Sequence, residues 1–113
     1  MNPYDIEWTA TDPLDRRISM YKSIVDIRQG KHSAPPEYLS IDEARAIVTD
    51  PDRIDESSSH PKRDIYYKFN SAMEFPHARV VADFNGAEDD GIIISWSRYK
   101  QPVSSHGVKY LKE

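Results

Sequence analysis

Two apolar runs, 78–84 and 92–98, form the strongest pattern in the chain, and a polar loop containing Asn85-Gly86 separates them. β-Branched residues are frequent in both runs, and an Asn-Gly pair between such runs is typical of a β-hairpin. Three successive isoleucines at 92–94 indicate that the second strand is interior and covered on both faces near its start. The hairpin is predicted to supply six core positions: Val80, Ala82, Phe84, Ile92, Ile94 and Trp96.

Alternation of apolar and polar residues predicts the faces of the strands. In the second strand of the hairpin, Ile94 and Trp96 share one face, while Ser95 and Ser97 share the other. The segment 64–69 alternates in the same way, which predicts a further strand before the hairpin. A loop is expected between them, at 70–77, and a short edge strand is predicted at 53–57.

A helix is predicted over residues 13–29. Asp12 is a favourable N-cap, Pro13 suits the first helical position, and apolar residues recur after them at helical spacing. Gly30 is the residue type that commonly stops a helix.

A second, shorter helix is predicted over residues 41–49. Ser40 and Glu43 have the spacing of a capping box, in which each residue satisfies a backbone N–H of the other. Pro51 ends the helix, because the residue before a proline is pushed out of the helical region.

Two helices followed by consecutive strands predict an α+β fold with one domain at 12–100. The helices are expected to pack on one face of a three- to four-stranded antiparallel meander, with the other face partly open. Residues 1–11 lack periodicity and contain Tyr4 and Trp8, which predicts an N-terminal arm that packs on this chain or on a partner. Residues 101–113 are either a tail or a short extra strand at 108–111.

Composition narrows the class of protein. A chain of 113 residues with 30% charged and 38% hydrophobic residues is expected to fold as one soluble globular domain. It has no cysteine, which excludes disulfides and thiolate metal sites. No apolar run approaches the roughly 20 residues that span a bilayer, and the N-terminus lacks the layout of a signal peptide. These features predict a cytoplasmic protein.

The charge is unevenly distributed along the chain. The net charge is −4, with a balance of −5 over residues 1–59 and +1 over residues 60–113. A strongly basic nucleic-acid binder is therefore not indicated, and the acidic first half favours a basic partner. The second half offers either a mixed solvated surface or a local basic patch: Lys62, Arg63, Lys68, Arg98, Lys100, Lys109 and Lys112.

Several short segments carry a resemblance to a known group of proteins: Lys31-His32 with Pro36-Glu37, the turn 50–54, and the strands 65–68, 78–84 and 92–96. They resemble the RelE-like, phage-associated members of the barnase–EndoU–colicin–RelE nuclease superfold. The resemblance spans about residues 14–98. The chain departs from the group by residues 33–35, which stand as an insertion, and by its acidic charge.

The resemblance implies RNA cleavage without a metal ion. In such a reaction a base removes the 2′-hydroxyl proton, an acid protonates the 5′-oxygen, and cations stabilise the phosphorane charge. His32 would be the acid–base group, with Ser95 and Lys68 as further catalytic candidates. The candidates for binding RNA are Arg63, Arg98 and Tyr66, and Tyr99 and Trp96 are further candidates for stacking on bases.

Each of these residues also has a simpler interpretation. His32 fits an exposed loop histidine, Ser95 a strand serine without a task, and Lys68 a lysine on a solvated face. The four histidines lack ligand spacing such as H-x3-H, so no metal and no cofactor are predicted.

Two functions from different classes therefore stay open. The first is a phage- or toxin-type protein that binds a protein partner as an inhibitor or regulator. It would do so, or would self-associate, through a sheet edge and the N-terminal arm with Tyr4 and Trp8. The alternative is a metal-independent endoribonuclease, and an unrelated small enzyme is a third possibility.

Overall fold

Seven strands in one mixed sheet dominate the fold in a computed structural model of the chain, which describes residues 5–29, 37–102 and 107–113. The strands are β1 (Ile6–Thr11), β2 (Arg17–Tyr21), β3 (Arg53–Glu56), β4 (Arg63–Phe69), β5 (His77–Asp83), β6 (Asp90–Tyr99) and β7 (Val108–Leu111). The helices are α1 (Lys22–Gln29) and α2 (Ile41–Thr49).

The strands lie in the order β1-β2-β6-β5-β4-β3-β7. β3 to β6 form an antiparallel meander, and β7 adds to the outer side of β3. The hairpin of β1 and β2 adds to the opposite side, where β2 runs parallel to β6. The predicted fold, two N-terminal helices on a three- to four-stranded meander, is therefore wrong, because the first part of the chain contributes two more strands.

The prediction of a helix over 13–29 failed at its first turn. The Asp12 carboxylate accepts hydrogen bonds from the backbone N–H groups of Leu14 and Arg16, at 3.0 and 2.9 Å, as an aspartate does in a tight turn. Asp15 has a left-handed φ of 62°, which no helix contains. The turn reverses the chain into β2, and only Lys22–Gln29 is helical. An Asp-Pro step is compatible both with the start of a helix and with a tight turn. Here the pairing of β1 with β2 selects the turn.

The described part of the predicted N-terminal arm is a strand of the sheet. This strand, β1, pairs with every residue of β2. Its Trp8 is buried against the core, with only 6% of its surface exposed. Tyr4 lies outside the described residues.

A β-bulge explains why two of the six predicted core positions were wrong. Val81 pairs with Ser95 and Ala82 pairs with Ile93, so β6 carries one extra residue, Ile94, between these two pairs. The extra residue shifts the alternation, and Ile93 faces the core together with Trp96. Ile94 is only half-buried, and Ile92 is 40% exposed.

Other predictions of local structure are confirmed. The helix predicted at 41–49 is α2 with the same bounds, and both hydrogen bonds of its capping box form between Ser40 and Glu43. Strands lie at 53–56 and 63–69, close to the predicted limits, and the terminal stretch 108–111 is β7. The stretch 53–57 was predicted as an edge strand, but β7 covers that edge.

Both helices pack on one face of the sheet, which we call the covered face. Buried residues of α1 and α2, including Val25 and Val48, belong to the same core cluster as Ile18, Val80 and Trp96 of the strands. The opposite face, which we call the open face because neither helix packs on it, carries the side chains that alternate with these core residues. Some of these side chains, such as Ile65 and Ser97, are nevertheless buried. In the described part of the chain, no helix is long and apolar enough to cross a membrane.

The capping box of α2 provides a first test of local stability. Ser40→Ala removes the side-chain acceptor of the Glu43 N–H, at 3.0 Å, and should lower the free energy of unfolding by about 1 kcal/mol. Urea denaturation followed by circular dichroism measures the change. Ser71→Ala, in an exposed loop, is the matched control and should leave the free energy unchanged. Equal effects of the two substitutions would contradict the capping role.

Candidate functional site

A row of five side chains crosses the open face at right angles to the strands. Strand register places Leu111, Arg53, Tyr67, Arg79 and Ser97 side by side on five neighbouring strands. Such partners lie on the same face, with roughly 5 Å between the β-carbons of neighbours. We call this the arginine row.

Arg79 is the member of the arginine row whose charge is unmatched. Its guanidinium lies 5.5 Å from the ring centre of Tyr99, and it makes no ion pair with any described carboxylate. Its Nε is buried and has no hydrogen-bond partner among the described residues. A half-buried guanidinium with unused donors is a ready site for a carboxylate or a phosphate.

The other arginine of the row is already paired. Arg53 Nη2 lies 2.6 Å from Oδ2 of Asp55, a fully buried carboxylate, and its guanidinium stacks 5.1 Å from the ring centre of Tyr67. Arg53 and Asp55 are therefore neutral as a pair. Arg79 provides the net positive charge of the row.

A second polar cluster lies on the covered face, at the end of the sheet where the β1–β2 turn meets β4. Arg16 donates to Asp12 at 2.9 Å and to Asp64 at 2.7 Å, and its third nitrogen contacts the Tyr66 hydroxyl at 3.3 Å. Lys109 Nζ lies 2.9 Å from Asp64. The two carboxylates are buried, so the two cations neutralise charges that water cannot reach.

Tyr66 completes this cluster from the fully buried interior. Its hydroxyl donates to Asp12 at 2.6 Å. Burial and then the hydrogen bond to Asp12 raise the pKa of Tyr66 far above its usual value, so the hydroxyl keeps its proton. Beside the cluster lies a cavity of about 590 Å³, which we call the Arg16 pocket, lined by Arg16, Lys62, Asp64, Phe84, Glu88 and Lys109 among others.

The predicted catalytic residues do not form a described cluster. His32 lies outside the described residues. Lys68 is on the covered side of β4, 3.3 Å from Asp52, with Nζ also 3.0 Å from the Asp50 carbonyl oxygen. Ser95 is on the open face. Its partner on β5 is Val81, which lies between the core residues Val80 and Ala82 and therefore points to the other face. Lys68 and Ser95 therefore lie on opposite faces of the sheet.

The three predicted RNA-binding residues are separated from one another, although one of them, Arg98, lines a cavity of about 390 Å³ together with Lys68. Arg63 lies on the open face in an ion pair with Asp83 at 3.0 Å. Arg98 is buried on the covered face and donates to Glu43 of α2. Tyr66 is buried completely and offers no ring face for stacking. Of the further stacking candidates, Tyr99 is on the open face and Trp96 is in the core.

Sequence reasoning missed both polar clusters, although each left a signal. Arg79 interrupts an apolar, β-branched run, which marks a strand position that is not core. Asp12 and Arg16 are four residues apart, a spacing that fits the predicted helix equally well. Their long-range partners, Asp64 and Tyr66, have no visible link to them in the sequence.

Comparisons with known proteins add no further constraint. No protein-family model matches the chain, and neither a curated protein nor a solved structure is a match. The resemblance to the RelE-like group therefore stays a prediction. In the parts of the chain that the structure describes, no group of three or more His, Cys, Asp or Glu side chains could hold a metal ion.

Proposed function

We propose that this protein is a protein-binding module that recognises an acidic segment of a partner on the open face of its sheet. The observation that carries the proposal is Arg79, a half-buried guanidinium without a carboxylate partner among the described residues. A partner carboxylate would pair with the charge of this guanidinium through a charge-assisted hydrogen bond. An inhibitory or regulatory role through such binding is part of this proposal.

The charge of the open face favours a short acidic segment over a nucleic acid. Arg53 and Arg63 already carry acidic partners, Asp55 and Asp83, so Arg79 is the arginine available to an anion among those described on this face. A nucleic acid commonly needs several phosphate contacts for useful affinity. The net charge of −4 would repel a long polyanion more strongly than a short acidic segment.

The outer edge of the sheet adds apolar area beside the arginine row. Leu111 begins the row on β7 and is 65% exposed, and Val108 on the same strand is 58% exposed. Among the described strands, β7 pairs only with β3, so its other side offers backbone groups to an incoming strand. A partner segment that combines an apolar residue with an acidic one would fit both features.

The expectation of a basic partner, drawn from the acidic first half of the chain, has less support. Ion pairs already engage five acids of that half: Asp12, Glu43, Asp50, Asp52 and Asp55. Strands from the two halves of the chain lie side by side in the sheet. The acidic half and the slightly basic half therefore do not form two separate surfaces of opposite charge. The separation of Lys68 from Ser95 likewise lends no support to an endoribonuclease.

Arg79→Ala tests the proposal with the full-length chain. An array of peptides that combine Asp or Glu with apolar residues at varied spacing selects the probe, and calorimetric titration measures its affinity. Arg79→Ala should weaken binding about tenfold or more, because it removes a charge-assisted contact. The thermal midpoint of the variant shows whether the fold is kept.

Arg45→Ala is the matched control, because Arg45 is exposed on α2 and makes no ion pair among the described residues. It should change the affinity by less than about twofold. Peptides that bind regardless of acidic residues, or bind Arg79→Ala as tightly as the wild type, would overturn the proposal. Tighter binding of a single-stranded oligonucleotide that depends on Arg79 would overturn it in favour of a nucleic acid.

A further inference from the structure

We propose that the Arg16 pocket is a second binding site, which takes a small organic anion with a phosphate or carboxylate group beside an aromatic or apolar part. The pocket lies on the covered face and is independent of the arginine row. Its volume of about 590 Å³ is in the range of small-molecule sites.

The floor of the pocket is held rigidly by the buried polar cluster. Arg16 is anchored by Asp12 at 2.9 Å and by Asp64 at 2.7 Å, and only 12% of its side chain is exposed. Each terminal nitrogen of a guanidinium carries two hydrogens, and the contacts of Arg16 to Asp64 and Tyr66 use one on each. The Arg16 side chain is therefore already ordered before a ligand binds, which lowers the entropic cost of binding.

Most of the charges in the walls of the pocket are cations, although Arg16 is also paired with the buried Asp12 behind it. Three cations line it, Arg16, Lys62 and Lys109, against two carboxylates, Asp64 and Glu88. Asp64 is buried and already contacts Arg16 and Lys109. Lys62 is exposed and makes no ion pair among the described residues, so its charge is available at the mouth. Low-dielectric walls concentrate such a field and attract an anion.

Phe84 gives the pocket an apolar wall next to the cations. The guanidinium of Arg16 stacks 4.3 Å from the centre of its ring. Gly91 lies against the same ring, since a β-carbon there would be 2.7 Å from two ring atoms. The ring is thus confined between Arg16 and β6. An anion held by Lys62 and Lys109 would place its organic part against this ring.

Titration with three probes tests the site: phenyl phosphate, benzoate and inorganic phosphate. Saturable shifts of the Phe84 and Gly86 amide signals in NMR spectra would report binding in the pocket. Phenyl phosphate or benzoate should bind more tightly than inorganic phosphate, because only these two carry a ring for Phe84. Whichever of the two binds more tightly identifies the anionic group that the site takes.

The variant Lys62→Met/Lys109→Met should weaken binding about tenfold or more, because two charged contacts are lost while the side-chain stems remain. Lys62→Met alone changes an exposed residue and should weaken binding measurably even if the double variant folds poorly. Lys100→Met, beyond the far end of β6, is the control and should bind as the wild type does. Absence of saturation with all three probes at millimolar concentration, or equal binding by Lys62→Met and the wild type, would overturn the proposal.

Discussion

Arg16→Met should lower the free energy of unfolding by about 3–5 kcal/mol, because it leaves buried carboxylates without their counter-ion. The Arg16 guanidinium donates to Asp12 and Asp64, whose side chains are 0% and 1% exposed. After the substitution, Asp12 keeps the Tyr66 hydroxyl and Asp64 keeps Lys109, but the charge between the two carboxylates is lost. Denaturation by urea, followed by tryptophan fluorescence, measures the change.

The neighbouring arginine provides a matched control for this prediction. Arg17 pairs with Asp90 at 2.6 Å, but the two side chains are 66% and 40% exposed, so water already solvates both charges. Arg17→Met should leave the free energy of unfolding nearly unchanged. Adding Asp12→Asn to Arg16→Met should recover part of the lost stability, because it removes the buried carboxylate charge that is left without a counter-ion. Similar losses for Arg16→Met and Arg17→Met would show that the cluster is not buried as described.

Ile93→Ala should cost about 2–5 kcal/mol, as expected when a fully buried side chain is cut back. Ile93 is 1% exposed and belongs to the core cluster on the covered face. Ile94→Ala should cost only about 1 kcal/mol, because the bulge leaves Ile94 half-buried. The same denaturation experiment measures both variants.

This pair of variants tests the register of the two central strands directly. Simple alternation along β6 would put Ile94 in the core with Trp96, and would place Ile93 on the other face. A larger loss for Ile94→Ala than for Ile93→Ala would therefore contradict the bulge between Val81 and Ala82. Such a result would instead support the regular alternation along β6 that the sequence pattern predicts.

The candidate site was less predictable than the helices and strands. Ser95, Lys68 and Arg98 are single residues of suitable chemistry, but Ser95 lies on the open face, whereas Lys68 and Arg98 line one cavity on the covered face. A strand places successive side chains on opposite faces, so one residue of register decides which of them can meet. The cluster around Arg16 joins residues 48 and 50 positions apart in the sequence, and the arginine row crosses five strands of the sheet.

Local signals in the sequence determined α2, with its capping box at Ser40 and Glu43, and the hairpin around Asn85-Gly86. These structures depend on contacts between residues close in the chain, so their residue types suffice to predict them. Only the tertiary structure decided that Asp12 begins a turn and that Ile6–Thr11 is a strand. The Asp12 carboxylate is held by Arg16 and Tyr66, and β2 pairs with β6, more than 70 residues later. Such partners are chosen by packing across the sheet, which a local pattern does not contain.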